Sequence, residues 1–83
     1  YPNPFNTTTR INFNLPINGY ITLKVYDVLG REVKNLISND LRPAGNYTSY
    51  FNGKNYASGI YYCKLYIDGD NDYTSVYRIV LLK

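Results

Sequence analysis

Apolar and polar residues alternate with period two through most of this chain of 83 residues. Between residues 10 and 15, for example, single polar residues separate the apolar side chains of Ile11, Phe13 and Leu15. Such alternation places one set of side chains on the buried face of a β-strand and the other on its solvated face. No apolar i, i+3, i+4 pattern persists for the roughly 11 residues of an ordinary helix. The sequence therefore predicts an all-β fold.

Short alternating segments recur between clusters of turn-forming residues. The predicted strands cover residues 10–15, 21–26, 31–37, 46–52, 60–67 and 73–82. We expect residues 16–19 to join the first two strands as a hairpin, residues 27–30 to form a type I turn, and Asn52-Gly53 to form a further turn. Residues 38–45 are expected to form a polar loop. Strands of this length and spacing predict an immunoglobulin-like antiparallel β-sandwich of about seven short strands rather than a closed barrel.

The alternation also predicts which side chains face the core. Val33 and Leu36 are expected to point inward from the third strand, and the run at residues 79–82 is expected to be buried on both faces. Tyr47 follows a corner that contains Pro and Gly, a setting in which a tyrosine hydroxyl bonds to the backbone upstream. The inward residues predicted for the fifth strand are Tyr61, Cys63, Leu65 and Ile67.

The composition restricts the chemistry available to the chain. It contains no histidine and one cysteine, which excludes His-based catalysis, the usual zinc ligand sets and an internal disulfide. A chain of this length supports one core, so we predict a single domain over residues 1–83 that is not an enzyme and holds no cofactor. The net charge of +3 is spread without a basic cluster, which argues against nucleic-acid binding. No apolar stretch approaches the roughly 20 residues of a membrane span.

Two features resemble chemical sites, and for both a structural role is the preferred interpretation. Asp68, Asp70 and Asp72 alternate like the first ligands of a calcium loop. A tyrosine and an isoleucine occupy the positions where that motif needs glycine and glutamate, so a solvated hairpin loop is favoured. Cys63 has no base to activate it and is predicted to be a small core residue that is protected from reagents.

Tyrosine is abundant, with 11 residues. Most are explained by core and cross-strand packing, but alternation places five of them outward, where they would suit a contact with a protein or a glycan. These five are Tyr20, Tyr26, Tyr50, Tyr62 and Tyr66. Asn6 and Asn46 each begin a glycosylation sequon, a pattern that arises readily in a chain rich in Asn and Thr.

Five segments in a fixed order carry a resemblance to a known family. They are YPNPFN at 1–6, VYDVLGREV at 25–33, PAG at 43–45, SGIYY at 58–62 and VLLK at 80–83. Together they resemble the type A C-terminal sorting domain of the type IX (Por) secretion system over the whole chain. Related immunoglobulin-like modules of the hook-capping-protein type share the Asp-x-x-Gly-Arg turn. The residues of the shared structural motif are Pro4, Phe5, Asn6, Asp27, Gly30, Arg31, Pro43, Gly45 and Tyr47.

The resemblance implies a non-enzymatic label at the end of a secreted protein of the Bacteroidetes or their relatives. The outer-membrane type IX translocon would recognise the folded sandwich after export to the periplasm. A surface sortase-like protease would then often remove it and attach the cargo to lipopolysaccharide, so the protein would be secreted or held at the cell surface. The residues to which the resemblance assigns the sorting signal are Gly59, Ile60, Tyr61, Tyr77, Arg78, Ile79, Val80, Leu81, Leu82 and Lys83.

Two alternatives of other classes stay open from the sequence. The segment at residues 1–9 could pair with a sandwich edge of a neighbouring copy and produce a filament by self-association. We expect it instead to fold back on its own sandwich, with the two prolines confined to an edge or a turn. The second alternative is an accessory module that binds glycan or protein through the outward tyrosines.

Overall fold

The computed structural model describes residues 8–68 and 73–82, and within these ranges the chain forms six β-strands and no helix. The strands are β1 (Thr8–Leu15), β2 (Gly19–Tyr26), β3 (Glu32–Arg42), β4 (Gly45–Asn52), β5 (Gly59–Asp68) and β6 (Tyr73–Leu81). β1 and β4 form a two-stranded sheet, and a four-stranded sheet has the order β3-β2-β5-β6. All pairs are antiparallel. The predicted all-β sandwich is confirmed.

The core lies between the two sheets and is built from the inward residues of the alternating strands. They are Ile11, Phe13, Leu15, Ile21, Leu23, Val25, Phe51, Tyr61, Cys63, Leu65, Ile67, Ile79 and Leu81. The inward faces predicted for the first, second and fifth strands are therefore correct. Cys63 is fully buried, and this burial raises the pKa of its thiol to about 12. The thiol is thus protonated at neutral pH and closed to reagents in the folded chain.

The predicted hairpin between the first two strands is wrong. β1 pairs with β4, whereas β2 pairs with β3 and β5, so residues 16–18 carry the chain from one sheet to the other. Gly19 is needed at the far side of this crossing, because a Cβ there would lie 2.5 Å from the backbone oxygen of Asp68. Alternation fixes which face of a strand is buried but not which strand is its partner.

The polar loop predicted at residues 38–45 is also wrong, because β3 continues to Arg42. β3 is an edge strand, so polar residues are tolerated along it, and its pairing with β2 contains three register shifts. Asn39 adopts a positive φ of 47°, and its N–H donates to Thr22 Oγ1 at 3.1 Å. Val33 and Leu36 pack against the core, as predicted.

The run at residues 79–82 is not buried on both faces. Ile79 and Leu81 are buried, whereas Val80 and Leu82 are exposed. β6 is the other edge of the four-stranded sheet, and none of the described residues covers the outer face at this point. Buried and exposed side chains therefore alternate here although all four residues are apolar.

Several predictions lie wholly or partly outside the described residues. Thr8 and Thr9 pair with Asn52 and Phe51 of the same chain, so the described part of the N-terminal segment folds back on its own sandwich. Residues 1–7, and with them the sequon at Asn6, lie outside the described ranges. Of the three aspartates that resemble calcium ligands, only Asp68 is described.

Candidate functional site

The turn between β2 and β3 is organised by one carboxylate. Asp27 Oδ1 accepts hydrogen bonds from the N–H groups of Leu29 (2.9 Å) and Arg31 (3.0 Å), and Asp27 Oδ2 accepts one from Arg31 Nε at 2.8 Å. The backbone hydrogen bond from Arg31 is the main cause that holds the pKa of Asp27 below its usual value of 3.8. Gly30 N–H donates to the Asp27 carbonyl, and Gly30 has a positive φ of 81°, a conformation that glycine adopts without strain. The predicted turn at residues 27–30 is present.

This turn displays two aliphatic side chains to solvent. Val28 is 66 % exposed and Leu29 is 73 % exposed. Neither exposure was predicted, because both residues lie in a turn, where alternation gives no information about burial. The hydrogen bonds of Asp27 fix the backbone on both sides of them, so the pair is presented in a defined geometry.

The start of β5 forms a second rigid corner. Gly59 has a φ of 151°, a conformation that residues with a Cβ rarely adopt. Two residues later, the Tyr61 hydroxyl donates to the backbone oxygen of Ala57 at 2.6 Å. The Tyr61 ring packs against Phe51 and Tyr56, with ring centroids 5.9 and 6.4 Å away. A tyrosine corner therefore fixes the direction in which the chain enters β5.

The end of β6 lies directly beside this corner. Leu81 pairs with Gly59, and Val80 pairs with Ile60. The buried Leu81 side chain packs so closely on Gly53 that a Cβ there would lie 2.5 Å from it. Val80 is 49 % exposed and Leu82 is 74 % exposed. The end of the described chain thus presents two further aliphatic groups.

The topology brings these three segments together. β2, β5 and β6 are neighbouring antiparallel strands, so the end of β2, the start of β5 and the end of β6 lie at the same end of the sheet. A cleft of about 480 Å³ separates the turn from the start of β5 and is lined by Val28, Leu29, Ile60 and Tyr61 among others. We call this region, residues 27–31, 58–61 and 78–82, the aliphatic end.

Most of the residues assigned to the sorting signal lie at the aliphatic end, the end of the sheet that also carries the turn residues Asp27, Gly30 and Arg31. They are Gly59, Ile60, Tyr61, Arg78, Ile79, Val80, Leu81 and Leu82. Tyr77 lies nearer the middle of β6. Lys83, Pro4, Phe5 and Asn6 lie outside the described ranges, 8–68 and 73–82.

Pro43, Gly45 and Tyr47 lie at the other end of the sandwich. The Tyr47 hydroxyl donates to the backbone oxygen of Pro43 at 2.6 Å, which is the hydrogen bond expected for this tyrosine. The guanidinium of Arg42 lies 5.1 Å from the centre of the Tyr47 ring. Ala44 N–H donates to Asn18 Oδ1 at 2.7 Å. We call residues 16–20 and 41–47 the opposite end.

Sequence reasoning missed two tyrosine hydrogen bonds. The corner at Tyr61 has the same spacing as the corner at Tyr47, with glycine two residues before the tyrosine and the accepting carbonyl four residues before it. A comparison of residues 43–47 with residues 57–61 could therefore have found it. The Tyr56 hydroxyl donates to the backbone oxygen of Val33 at 2.7 Å and links the segment between β4 and β5 to β3. No local sequence pattern predicts this hydrogen bond.

The five outward tyrosines do not form one surface. Tyr50 is exposed on the two-stranded sheet, whereas the other four lie on the four-stranded sheet. Tyr26 and Tyr66 are half-buried and their hydroxyl oxygens are 3.0 Å apart. This hydrogen bond is the main cause that raises the pKa of Tyr26 to about 12, and Lys64 Nζ lies 5.0 Å from the Tyr26 ring centre. These groups therefore contact one another.

Two further features bear on the chemistry of the described ranges, 8–68 and 73–82. No group of three His, Cys, Asp or Glu side chains in them is placed to hold a metal ion. No helix within them has the length and apolar character needed to cross a membrane.

Comparison with known proteins identifies one family. The profile of the family described as "Secretion system C-terminal sorting domain" matches residues 1–81. No curated protein and no solved structure matches significantly. The chain therefore belongs to the family of secretion system C-terminal sorting domains, the type IX tails that mark proteins for the cell surface or the extracellular space.

Proposed function

We propose that the chain directs the protein to which it is attached through the outer-membrane type IX translocon, and that the translocon binds the aliphatic end. One observation carries the proposal. Three segments that are far apart in the sequence and carry the family resemblance lie at the same end of the four-stranded sheet, and together they expose four aliphatic side chains, those of Val28, Leu29, Val80 and Leu82.

Single exposed aliphatic residues are ordinary, but several of them at one end of a small sandwich are typical of an interaction surface. Burial of such side chains against a partner yields about 25 cal/mol per Å² of apolar surface. The hydrogen bonds of Asp27 and Tyr61 already fix the backbone beside the cluster, so little conformational entropy is lost when a partner binds.

The direct test is a fusion of a fluorescent protein with an N-terminal export signal and this chain at its C-terminus, expressed in a type IX-competent bacterium. The wild-type fusion should reach the surface, where added protease digests it. The variant Val28→Ser/Leu29→Ser should accumulate in the periplasm, because the apolar contact with the translocon is lost.

The matched control is Tyr20→Ser/Leu41→Ser, which removes two exposed, mutually paired apolar residues from the opposite end. It should be exported like the wild type. Melting temperatures of the purified chains should agree within a few degrees, since all four positions are exposed. Equal export of both variants would contradict the aliphatic end as the binding surface, whereas periplasmic retention of the wild type would contradict the sorting function itself.

The surface sortase-like protease is the second proposed partner. In a strain that lacks this protease, the wild-type fusion should reach the surface with the chain still attached. In the parent strain the fluorescent protein should be released from the chain and linked to lipopolysaccharide. An identical product in both strains would contradict this partner.

A further inference from the structure

β6 is an edge strand, and none of the described residues, 8–68 and 73–82, pairs with its outer side. It also lacks the features that usually protect an edge strand from further pairing. Nine residues pair with β5 in continuous register, and the strand contains no proline and one charged residue, Arg78. β3, the other edge of the same sheet, has three register shifts, charged side chains and the positive φ of Asn39. Natural sheets use such features to prevent the addition of another strand. Within the described part of the chain, β6 is therefore the edge of this sheet that is better suited to the addition of a strand.

A groove runs along this edge between β6 and β1. Its first part, about 340 Å³, is lined by residues 9–12 of β1 and 77–80 of β6. Past Asn12 and Tyr77 it continues into a depression of about 420 Å³ beside Phe13 and Tyr47. Residues 9–14 of β1 flank the groove, a length of about 20 Å at 3.3 Å per residue. The groove thus has the length of a short extended peptide.

The charges along the groove all have one sign. Arg10 and Arg78 line its two rims, and none of the lining residues is acidic. Neither arginine forms an ion pair with any residue in the described ranges. The inner wall contains Ile11, Tyr77 and Ile79. A complementary partner carries apolar side chains toward this wall and carboxylates toward Arg78.

We propose that the groove between β1 and β6 binds an extended acidic peptide segment of another protein, which adds to β6 as a fifth strand of the four-stranded sheet. Main-chain hydrogen bonds to the edge supply affinity, and alternation of side chains supplies specificity, since one face of the added strand lies over the half-buried Tyr77 and the other lies on the side of Arg78. The groove lies on the side of the sandwich and shares residues 78–80 with the aliphatic end, but it does not include Val28 or Leu29.

The test uses purified chain and a labelled peptide of about seven residues in which Val and Glu alternate, with binding followed by fluorescence anisotropy. We expect saturable binding of this peptide and about tenfold weaker binding of a peptide with Lys in place of Glu. Two further peptides, methylated at the odd or at the even backbone nitrogens, separate strand addition from simple charge attraction. One of them should lose binding, because an added strand presents alternate N–H groups to the edge.

Protein variants complete the test. Arg78→Glu should weaken binding of the Glu peptide about tenfold and strengthen binding of the Lys peptide. Lys34→Glu, on β3, makes the same charge change at an exposed position on the other edge and should have little effect. Melting curves of both variants verify the fold. The proposal is overturned if the Glu peptide does not saturate, if both methylated peptides bind as well as the parent, or if Lys34→Glu weakens binding as much as Arg78→Glu. Because no secretion machinery is present, such a failure leaves the sorting function intact.

Discussion

Tyr47 and Tyr61 make the same hydrogen bond at opposite ends of the sandwich. Each hydroxyl donates to a backbone oxygen four residues earlier at 2.6 Å. Each tyrosine follows by two residues a glycine that begins a strand, with a φ of 153° for Gly45 and 151° for Gly59. One local device therefore fixes the start of β4 in the two-stranded sheet and of β5 in the four-stranded sheet.

The surroundings of the two corners differ. Tyr61 is only 7 % exposed and lies in a cluster with Phe51 and Tyr56, whereas Tyr47 is half-buried, with one face on Phe13 and Arg42 beside it. The Asn18 side chain caps the backbone next to the Tyr47 corner, while Val28 and Leu29 are exposed next to the Tyr61 corner. The hydrogen bond of the corner thus has the same structural role at both ends, and the neighbouring residues determine which side chains each end exposes to a partner.

The largest effects should come from the glycines. Gly45→Ala and Gly59→Ala should each lower the free energy of unfolding by about 1–3 kcal/mol, because an L-residue is strained at this φ. A Cβ at Gly59 meets nothing within 4 Å, and one at Gly45 meets only the Tyr47 ring at 3.9 Å, so backbone strain is the sole cost and should be similar at both ends. Urea denaturation measures both values. A cost below about 0.5 kcal/mol at either glycine would contradict the equivalence of the two corners.

Removal of the tyrosine hydroxyl should reduce stability more at the Tyr61 corner than at the Tyr47 corner. Tyr61→Phe leaves the carbonyl of Ala57 without its donor in a partly buried place, and we expect a loss of about 1–2 kcal/mol in the free energy of unfolding. Tyr47→Phe exposes the carbonyl of Pro43 to water, so the loss should stay below about 1 kcal/mol.

The matched control for the hydroxyl pair is Tyr50→Phe, at an exposed tyrosine of β4, which should change stability by less than about 0.5 kcal/mol. The double variant of Tyr47 and Tyr61 should be additive, since the two sites are far apart. A greater loss at Tyr47 than at Tyr61 would mean that burial does not distinguish the corners.

Alternation predicted the inward faces of β1, β2 and β5 because that information is local to each strand. It failed where the outcome depends on the neighbours of a strand. Residues 16–19 have the composition of a hairpin turn, but the partner of β1 is β4, and this pairing is set by the whole core. Residues 38–42 have the composition of a loop, but they continue β3, because an edge strand tolerates polar residues.

For the candidate site, too, the sequence predicted local features but not the arrangement that depends on neighbouring strands. The family resemblance identified the segments at 59–61 and 77–83, and the Asp27 turn was predicted from its own residues. The described residues of these segments, up to Leu82, lie at the same end of the sheet as Val28 and Leu29 because of the strand order, which no single segment contains. The hydrogen bond of Tyr47 was predicted through the proline of its corner. The hydrogen bond of Tyr61 was missed because alanine stands at the equivalent place, although Tyr61 itself was predicted to face the core.

The smallest expected effect is a pH dependence of the melting temperature that arises from Asp27 at the aliphatic end. The lowered pKa of Asp27 means that its carboxylate stabilises the folded chain above the pKa of the unfolded state, about 3.9, and that this contribution is lost as the pH falls through the folded value. The melting temperature of the wild type should therefore fall between about pH 5 and about pH 3 more steeply than that of Asp27→Asn.

Asp40→Asn, which breaks the exposed ion pair with Arg42, serves as the control and should follow the wild-type slope. The amide resonances of Leu29 and Arg31 should shift over the same range, because both donate to the Asp27 carboxylate. The effect is small since the group lies at the surface and is screened by solvent. Parallel melting curves for the wild type and Asp27→Asn would mean that the turn displaying Val28 and Leu29 is held by its backbone alone, and the aliphatic end would then be as insensitive to acid as the corner at Tyr47.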